Sequence, residues 1–128
     1  MAVSADSYGR VRIAVGECKD AKGEISADDV RYMMAVADAF PPSHFDTYVI
    51  FAKTAPFTQE EIDRCKEAQK GGGRSSIILL SDRELEPYFV YERAAKDFEI
   101  DSTAISLSDL ARTTYRLYFH PTPKPEVP

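Results

Sequence analysis

Two continuous apolar runs on either side of an amphipathic helical pattern constrain the fold of this chain more than any other feature. The runs Asp46 to Lys53 and Ser75 to Ser81 show no polar alternation, which is typical of strands covered on both faces. Between them, Thr58 and Glu61 have the spacing of a helix capping box, and a glycine run from Gly71 ends the helix. This order predicts two parallel strands joined by a right-handed crossover.

The chain before the first apolar run predicts a β-hairpin and one further helix. Residues 3–8 form the first predicted strand, residues 9–10 the turn, and Val11 to Lys19 the second strand. Ser26 and Asp29 then form a capping box ahead of apolar residues at helical spacing. We expect the second hairpin strand to lie parallel to the first apolar run.

The chain after the second apolar run is less regular. Ser81 and Glu84 have capping-box spacing, and Pro87 would interrupt the short helix that they begin. Residues 88–100 fit either a continued helix or an irregular arm, and residues 108–119 predict a last helix. Together these elements predict an α/β fold with a mixed sheet of four or five strands, an N-terminal hairpin and helices on both faces.

Size and composition are those of a single small domain. The chain has 128 residues, of which 44% are hydrophobic and 29% charged, as in ordinary globular domains. We predict one α/β domain over residues 1–120 and a proline-rich, flexible tail over residues 121–128. No run approaches the roughly 18 apolar residues of a membrane span, and the first ten residues lack the order of a secretory signal. We therefore expect a cytoplasmic protein without a membrane partner.

Cysteine usage and charge limit the classes of function. Cys18 and Cys65 are too few for a disulfide framework, and with two histidines they show no zinc-ligand spacing. The formal net charge is −5, which argues against a surface that grips nucleic acid alone, because nonspecific affinity comes from lysine and arginine. A protein of this charge that acts on nucleic acid is expected to use a partner domain, another subunit or a second copy of itself.

The candidate chemistry lies at the end of the predicted strand from Val11 to Lys19. Strand alternation places Glu17 and Lys19 on one face, about 7 Å apart along the strand, so both can reach one bound phosphate. A glutamate oxygen and the Cys18 carbonyl suit a hard cation such as Mg²⁺, and Lys19 could orient or deprotonate water or neutralise charge on phosphate. Alternatively, Glu17 and Lys19 are only a solvated pair at an exposed sheet edge.

A second carboxylate is expected from Asp6, the only acidic residue upstream of Glu17. The order of Asp6, a hairpin, an apolar strand ending in Glu17-Cys18-Lys19, a helix, a strand and a helix resembles the PD-(D/E)xK nuclease superfamily over residues 3–81. The resemblance implies a restriction-endonuclease-like fold and metal-dependent hydrolysis of nucleic acid, with DNA as the favoured substrate. It further implies that Asp6 and Glu17 hold Mg²⁺ or Mn²⁺ and that Lys19 assists the attacking water.

The sequence departs from the family pattern at two points. Ala5 precedes Asp6, where the family motif nominally has proline, and only five residues precede Asp6, where the family core begins with a helix. We therefore expect a fragment, a helix supplied by another subunit, or a degenerate relative.

Two other functions stay open on the sequence. The domain could be a catalytically inactive nuclease-like module that docks partner subunits, which its acidic charge fits. It could also be an unrelated, small doubly wound binding domain, in which Asp6 would lie far from Glu17. Lys53 ends the next predicted strand, where it is either a phosphate contact of the nuclease or a solvated strand end.

Overall fold

The computed structural model describes residues 2–5, 10–71, 75–86, 89 and 106–121. Its strands are β1 (Ala2–Ala5), β2 (Val11–Lys19), β3 (Phe45–Lys53) and β4 (Ser76–Leu80). Its helices are α1 (Ala27–Asp38), α2 (Gln59–Lys70) and α3 (Leu107–Thr114), and a π-helical turn (Tyr115–Phe119) directly follows α3. None of the helices in these ranges is long and apolar enough to cross a membrane.

The four strands form one mixed sheet in the order β1-β2-β3-β4. β1 pairs antiparallel with β2, and Ala5 lies opposite Val11. β2 and β3 are parallel with Lys19 opposite Lys53, and β3 and β4 are also parallel. The predicted mixed α/β class and the parallel order of the three later strands are therefore confirmed.

One face of the sheet carries the main core. Alternate residues of the three parallel strands, Ile13 and Val15 among them, pack there against α1, α2 and the π-helical turn. The buried apolar residues of this core are Ile13, Val15, Ile25, Val30, Met33, Met34, Ala37, Val49, Phe51, Phe57, Cys65, Ile77, Leu79 and Phe119. Glu17 and Lys19 continue the same alternation, so they project on the side of the sheet where α1 and α2 lie.

The opposite face carries a smaller core that α3 covers. Ala14, Tyr48 and Ile78 are buried there, and the partly buried Leu107 and Leu110 pack against them. Helices therefore lie on both faces of the sheet, as predicted. α3 also protects the edge strand β4, because the hydroxyl of Thr114 accepts a hydrogen bond of 2.9 Å from the Leu79 amide.

The helix starts follow the capping rules. At α1, the Asp29 amide donates to the Ser26 hydroxyl at 3.1 Å, and the Ser26 amide donates to the Asp29 carboxylate at 2.9 Å. Thr58 and Glu61 form the equivalent reciprocal pair at α2. The capping boxes predicted at Ser26 and Thr58 are confirmed. The last helix also begins with a capping box, at Ser106, slightly before its predicted start.

The segment after β4 differs from the prediction. Residues 82–85 form a turn rather than a short helix, with one helical-type hydrogen bond of 3.0 Å from the Leu85 amide to the Ser81 carbonyl. A single such bond does not offset the cost of starting a helix. The predicted arm over residues 88–100, apart from residue 89, and the tail beyond residue 121 lie outside the described residues.

Candidate functional site at the ends of the parallel strands

The candidate site lies where the parallel strands end. The β2–β3 register sets Lys19 beside Lys53, and the β3–β4 register sets Ala52 beside Leu80, so Ser81 follows next to Lys53. Each of the three parallel strands is followed by an acidic residue that accepts a hydrogen bond from the backbone amide three residues before it: Asp29 after β2, Glu61 after β3 and Glu84 after β4. In open α/β sheets, ligands bind in the crevice outside the carboxyl ends of the strands.

Glu17 and Lys19 meet at the end of β2, as predicted. The Lys19 ammonium lies 3.1 Å from the Glu17 carboxylate and 3.2 Å from the Asp29 carboxylate. The side chains of Glu17, Lys19 and Asp29 are 34%, 25% and 22% exposed, respectively. This ion-pair group is thus shielded by the sheet and α1 on one side and open to solvent on the other.

The hydrogen bonds of this group fix its charges. The bond to Glu17, followed by the one to Asp29, raises the pKa of Lys19 above its usual value. The backbone hydrogen bond from Ser26 is the main cause of the lowered pKa of Asp29, and Lys19 lowers it further. Lys19 therefore stays protonated and Asp29 stays ionised at neutral pH. Lys19 is consequently suited to electrostatic contact with an anion rather than to proton abstraction.

The loop between β2 and α1 supports the stem of Lys19. A Cβ atom added at Gly23 would lie 3.0 Å from Cβ and 3.3 Å from Cδ of Lys19, closer than side chains normally approach. The Gly23 amide also donates to the Asp20 carbonyl at 3.1 Å, which closes the turn. The absence of a side chain at Gly23 therefore lets the turn fold against Lys19.

Lys53 is held in a buried ion pair. Its ammonium lies 3.0 Å and 3.2 Å from the two carboxylate oxygens of Glu61, and the side chains of Lys53 and Glu61 are 7% and 1% exposed. The Ile25 and Thr58 amides each donate to Glu61 at 2.8 Å. Burial acts to raise the pKa of Glu61, but these amides and Lys53 together lower it below its usual value. A phosphate contact by Lys53 would have to compete with this pair, and it stays a prediction.

Asp6 lies outside the described residues, so its predicted role as a metal ligand stays a prediction. The strand that leads to it is described, however. Ala5 is paired with Val11, and Val11 lies six residues before Glu17 on β2. At the rise of a β-strand, six residues correspond to about 20 Å. The end of β1 that leads to Asp6 is therefore at the opposite end of the sheet from Glu17.

The described residues alone do not complete a Mg²⁺ site. Within them, no group of three histidine, cysteine, aspartate or glutamate side chains could hold a metal ion. Glu17 and Asp29 lie on either side of the Lys19 ammonium, and Asp29 is also engaged by Ser26. The Cys18 side chain is exposed, and the fold leaves it on the other face from Glu17. Glu17 and the Cys18 carbonyl therefore represent at most part of a ligand set.

A cleft opens beside the Glu17–Lys19 pair. It has a volume of about 530 Å³, and Lys53 contributes to its wall. Residues of the β2–α1 loop and of the start of α2 complete the lining, namely Lys22, Gly23, Glu24, Thr58, Gln59 and Glu60. Glu17 and Lys19 do not line this cleft; it adjoins Lys19 only through Gly23, where an added Cβ would lie 3.0 Å from Lys19 Cβ.

Sequence reasoning missed Asp29 as a member of the site. Asp29 was recognised only as a helix-capping residue, yet it also binds Lys19 at 3.2 Å. The sequence contains a pattern that indicates this contact, namely a strand-end lysine followed by an acidic helix-capping residue. The two charges come together because the helix turns back over the strand. The same geometry links Lys53 to Glu61.

A second polar cluster at the end of β4 was also missed. Glu84 is 1% exposed and accepts hydrogen bonds from the Ser81 amide at 3.1 Å, the Arg83 guanidinium at 2.7 Å and the Tyr118 hydroxyl. Burial and the hydrogen bond to Glu84 raise the pKa of Tyr118 to about 12. All these donors converge on one carboxylate, so the cluster anchors the turn after β4 to the π-helical turn.

Comparisons with known proteins add no relative. A scan against protein-family models, a search of curated proteins and a search of solved structures each found no match. Functional inference for this chain therefore depends on its own residues and their geometry.

Proposed function

We propose that this domain is a metal-dependent nuclease or nuclease domain that acts on phosphodiesters of nucleic acid, with DNA as the favoured substrate. The observation that carries the proposal is the contact of 3.1 Å between Glu17 and Lys19. Both side chains are partly exposed at the end of a strand that is buried at residues 13–15. A cation and a carboxylate held together at a partly exposed strand end suit a phosphate ester, whose charge needs a positive partner.

Lys19 would contact the phosphate. Its raised pKa keeps it charged across the physiological range, and its ammonium is oriented by Glu17 and Asp29. An incoming phosphate competes with these carboxylates, so Lys19 can move between them and the substrate without losing a charged partner.

Glu17 would be one ligand of Mg²⁺ or Mn²⁺, and a further acidic residue is needed to complete the set. The β1–β2 register argues against Asp6 as that residue, because β1 ends beside the start of β2. The pairs of this register run from Ala2–Ala14 to Ala5–Val11, so β1 does not reach the level of Glu17. An acid on a partner chain would meet this need.

Cleavage assays with matched variants test the proposal. Plasmid and single-stranded DNA are incubated at low salt with Mg²⁺ or Mn²⁺ and the wild-type chain, Glu17→Ala or Lys19→Ala. Glu67→Ala and Arg112→Ala serve as controls, because they remove an exposed acid and an exposed base far from the pair. We expect cleavage by the wild type and both controls and loss of cleavage in the two site variants. Equal cleavage by Glu17→Ala and the wild type would refute the proposal.

A second candidate function is a catalytically inactive module that docks partner subunits. It is favoured by the incomplete metal-ligand set among the described residues and by the net charge of −5. Titration calorimetry with Mn²⁺ separates the two functions. Binding that disappears in Glu17→Ala supports the nuclease, whereas absence of both binding and cleavage supports the docking module.

A further inference from the structure

A small cleft remote from the strand ends is lined without any acidic residue. It lies between the C-terminal half of α2 and the π-helical turn and has a volume of about 210 Å³. Its lining consists of Lys66, Gln69, Lys70, Tyr115, Phe119 and His120. A wholly non-acidic lining is notable in a chain of net charge −5, because acidic side chains outnumber basic ones in the chain as a whole.

The two lysines of this cleft are available to a ligand. Lys66 and Lys70 are one helical turn apart, so they share a face of α2. Within the described ranges, neither is in an ion pair, whereas the site lysines Lys19 and Lys53 both are. Two unpaired ammonium groups on one helix face repel each other, and an anion between them would relieve that repulsion.

The π-helical turn adds an aromatic pair at the mouth of the cleft. The His120 amide donates to the Tyr115 carbonyl at 2.7 Å, five residues back, which widens the turn. The Tyr115 and His120 rings consequently lie 5.7 Å apart, tilted by 42°. Tyr115 is 50% exposed, whereas Phe119 is buried beneath the cleft. His120 is the ring partner of Tyr115 among the described residues, and the exposed part of the Tyr115 ring offers a stacking surface.

We infer that this cleft, formed by Lys66, Lys70, Tyr115 and His120, binds single-stranded nucleic acid, with a phosphate between the lysines and a base on the aromatic pair. Proteins that bind single strands combine positive charge along the backbone with aromatic side chains on which bases stack. The inference rests on the proposed nucleic-acid substrate and adds a second contact point for it. α2 runs from the strand ends to this cleft, and its 12 residues correspond to about 18 Å. A strand held in the cleft could therefore extend toward the Glu17–Lys19 pair.

Fluorescence anisotropy with a labelled 20-nucleotide oligothymidine tests the inference. Binding is measured without metal at 50 mM salt for the wild type, Lys66→Ala, Lys70→Ala, Tyr115→Ala and the control Arg112→Ala. Loss of one phosphate contact should weaken binding roughly 8-fold at this salt and reduce the salt slope by about 0.7. Loss of a stacking platform should weaken binding roughly 5- to 150-fold. The oligothymidine affinity of Arg112→Ala should lie within about 2-fold of the wild-type affinity. We count this as unchanged, because loss of a phosphate contact should have an effect of roughly 8-fold.

The outcomes separate this inference from the proposed nuclease activity. Binding that depends on the lysines and Tyr115 supports the cleft even if no DNA is cleaved. Cleavage that depends on Glu17, with binding unaffected by the three cleft variants, overturns the cleft and leaves the nuclease. Inorganic phosphate and a poly-glutamate peptide serve as competitors. The inference would be overturned if either competitor, at the same concentration of charge, displaced the oligothymidine and if Tyr115→Ala left oligothymidine binding unchanged. The cleft would then be a site for simple anions or acidic proteins.

Discussion

Glu61→Gln should be much more destabilising than its conservative chemistry suggests. Gln keeps the shape of the side chain, and its single carbonyl oxygen can still accept from the Thr58 amide at the helix start. Its NH₂ group then faces the Ile25 amide, which is also a donor. Gln also leaves the Lys53 ammonium, 7% exposed, without its only ion-pair partner within the described residues. Removal of one partner of a buried ion pair typically costs about 3–5 kcal/mol. That is a large part of the roughly 5–15 kcal/mol by which a small domain is stable.

The reciprocal change, Lys53→Met, should cost less. Glu61 would remain ionised, but the Ile25 and Thr58 amides at 2.8 Å would still stabilise its charge. The loss is then that of a charge-assisted hydrogen bond, about 1.5–3 kcal/mol. The double variant Lys53→Met/Glu61→Gln removes both charges and should be less destabilised than the sum of the single variants.

Urea unfolding at pH 7 measures these differences, with the slope of the transition compared among variants to confirm two-state behaviour. The measurement is repeated at lower pH, because the pKa of Glu61 is lower in the folded protein than its usual value of 4.5. A group with a depressed pKa contributes stability above its unfolded pKa and loses it as the pH falls through the folded pKa. The difference in free energy of unfolding between the wild type and Glu61→Gln should therefore decrease below about pH 4.5. A cost of Glu61→Gln under about 1 kcal/mol, or additivity of the two single changes, would refute the reasoning.

Two further changes test the contacts around the strand ends. Gly23→Ala should displace the Lys19 stem, because the added Cβ would lie 3.0 Å from Lys19 Cβ. We expect slower DNA cleavage and a stability loss of about 1 kcal/mol, whereas Gly71→Ala, whose nearest contact is 3.4 Å, should leave cleavage unchanged. Tyr118→Phe should cost about 1–3 kcal/mol in urea unfolding, because Glu84 loses one of its donors while buried. A loss of under 0.5 kcal/mol would contradict the anchoring role of the cluster, since surface changes fall within that range.

The elements that the sequence predicted well are those specified by local patterns. The capping boxes at Ser26 and Thr58 depend on residues three positions apart, and the structure forms both. The strand from Val11 to Lys19 is likewise set by its own alternation and composition. The turn after Ser81 has the same local spacing but no helix. Its Ser81 amide still donates to the Glu84 carboxylate at 3.1 Å, whereas the Ser81 hydroxyl accepts from the Arg83 amide and the Tyr118 hydroxyl, both at 3.2 Å. A local pattern cannot specify the contacts with Tyr118, which lies 37 residues from Ser81.

The candidate site could be predicted only in part for the same reason. Adjacent positions on one strand face bring Glu17 and Lys19 together regardless of the remaining fold. The pairing of Lys53 with Glu61 depends on how α2 turns back over β3. Its sequence signal, a strand-end lysine followed by a capping acid, does not specify how deeply the pair is buried. An antiparallel hairpin with a short turn sets the end of its first strand beside the start of its second in any register, and the structure pairs Ala5 with Val11. The predicted hairpin therefore already indicated which end of the sheet β1 leads to.

Burial distinguishes the roles of the two lysines that end β2 and β3. Both are followed by a capping acid that binds the ammonium, Asp29 for Lys19 and Glu61 for Lys53. The Lys53–Glu61 pair is almost fully buried, so the fold depends on it and a ligand cannot reach it freely. The Glu17–Lys19 contact is a quarter to a third exposed, and exposed ion pairs add little to stability. Glu17→Ala should therefore leave unfolding unchanged, so that any loss of cleavage in this variant reports on chemistry rather than on folding.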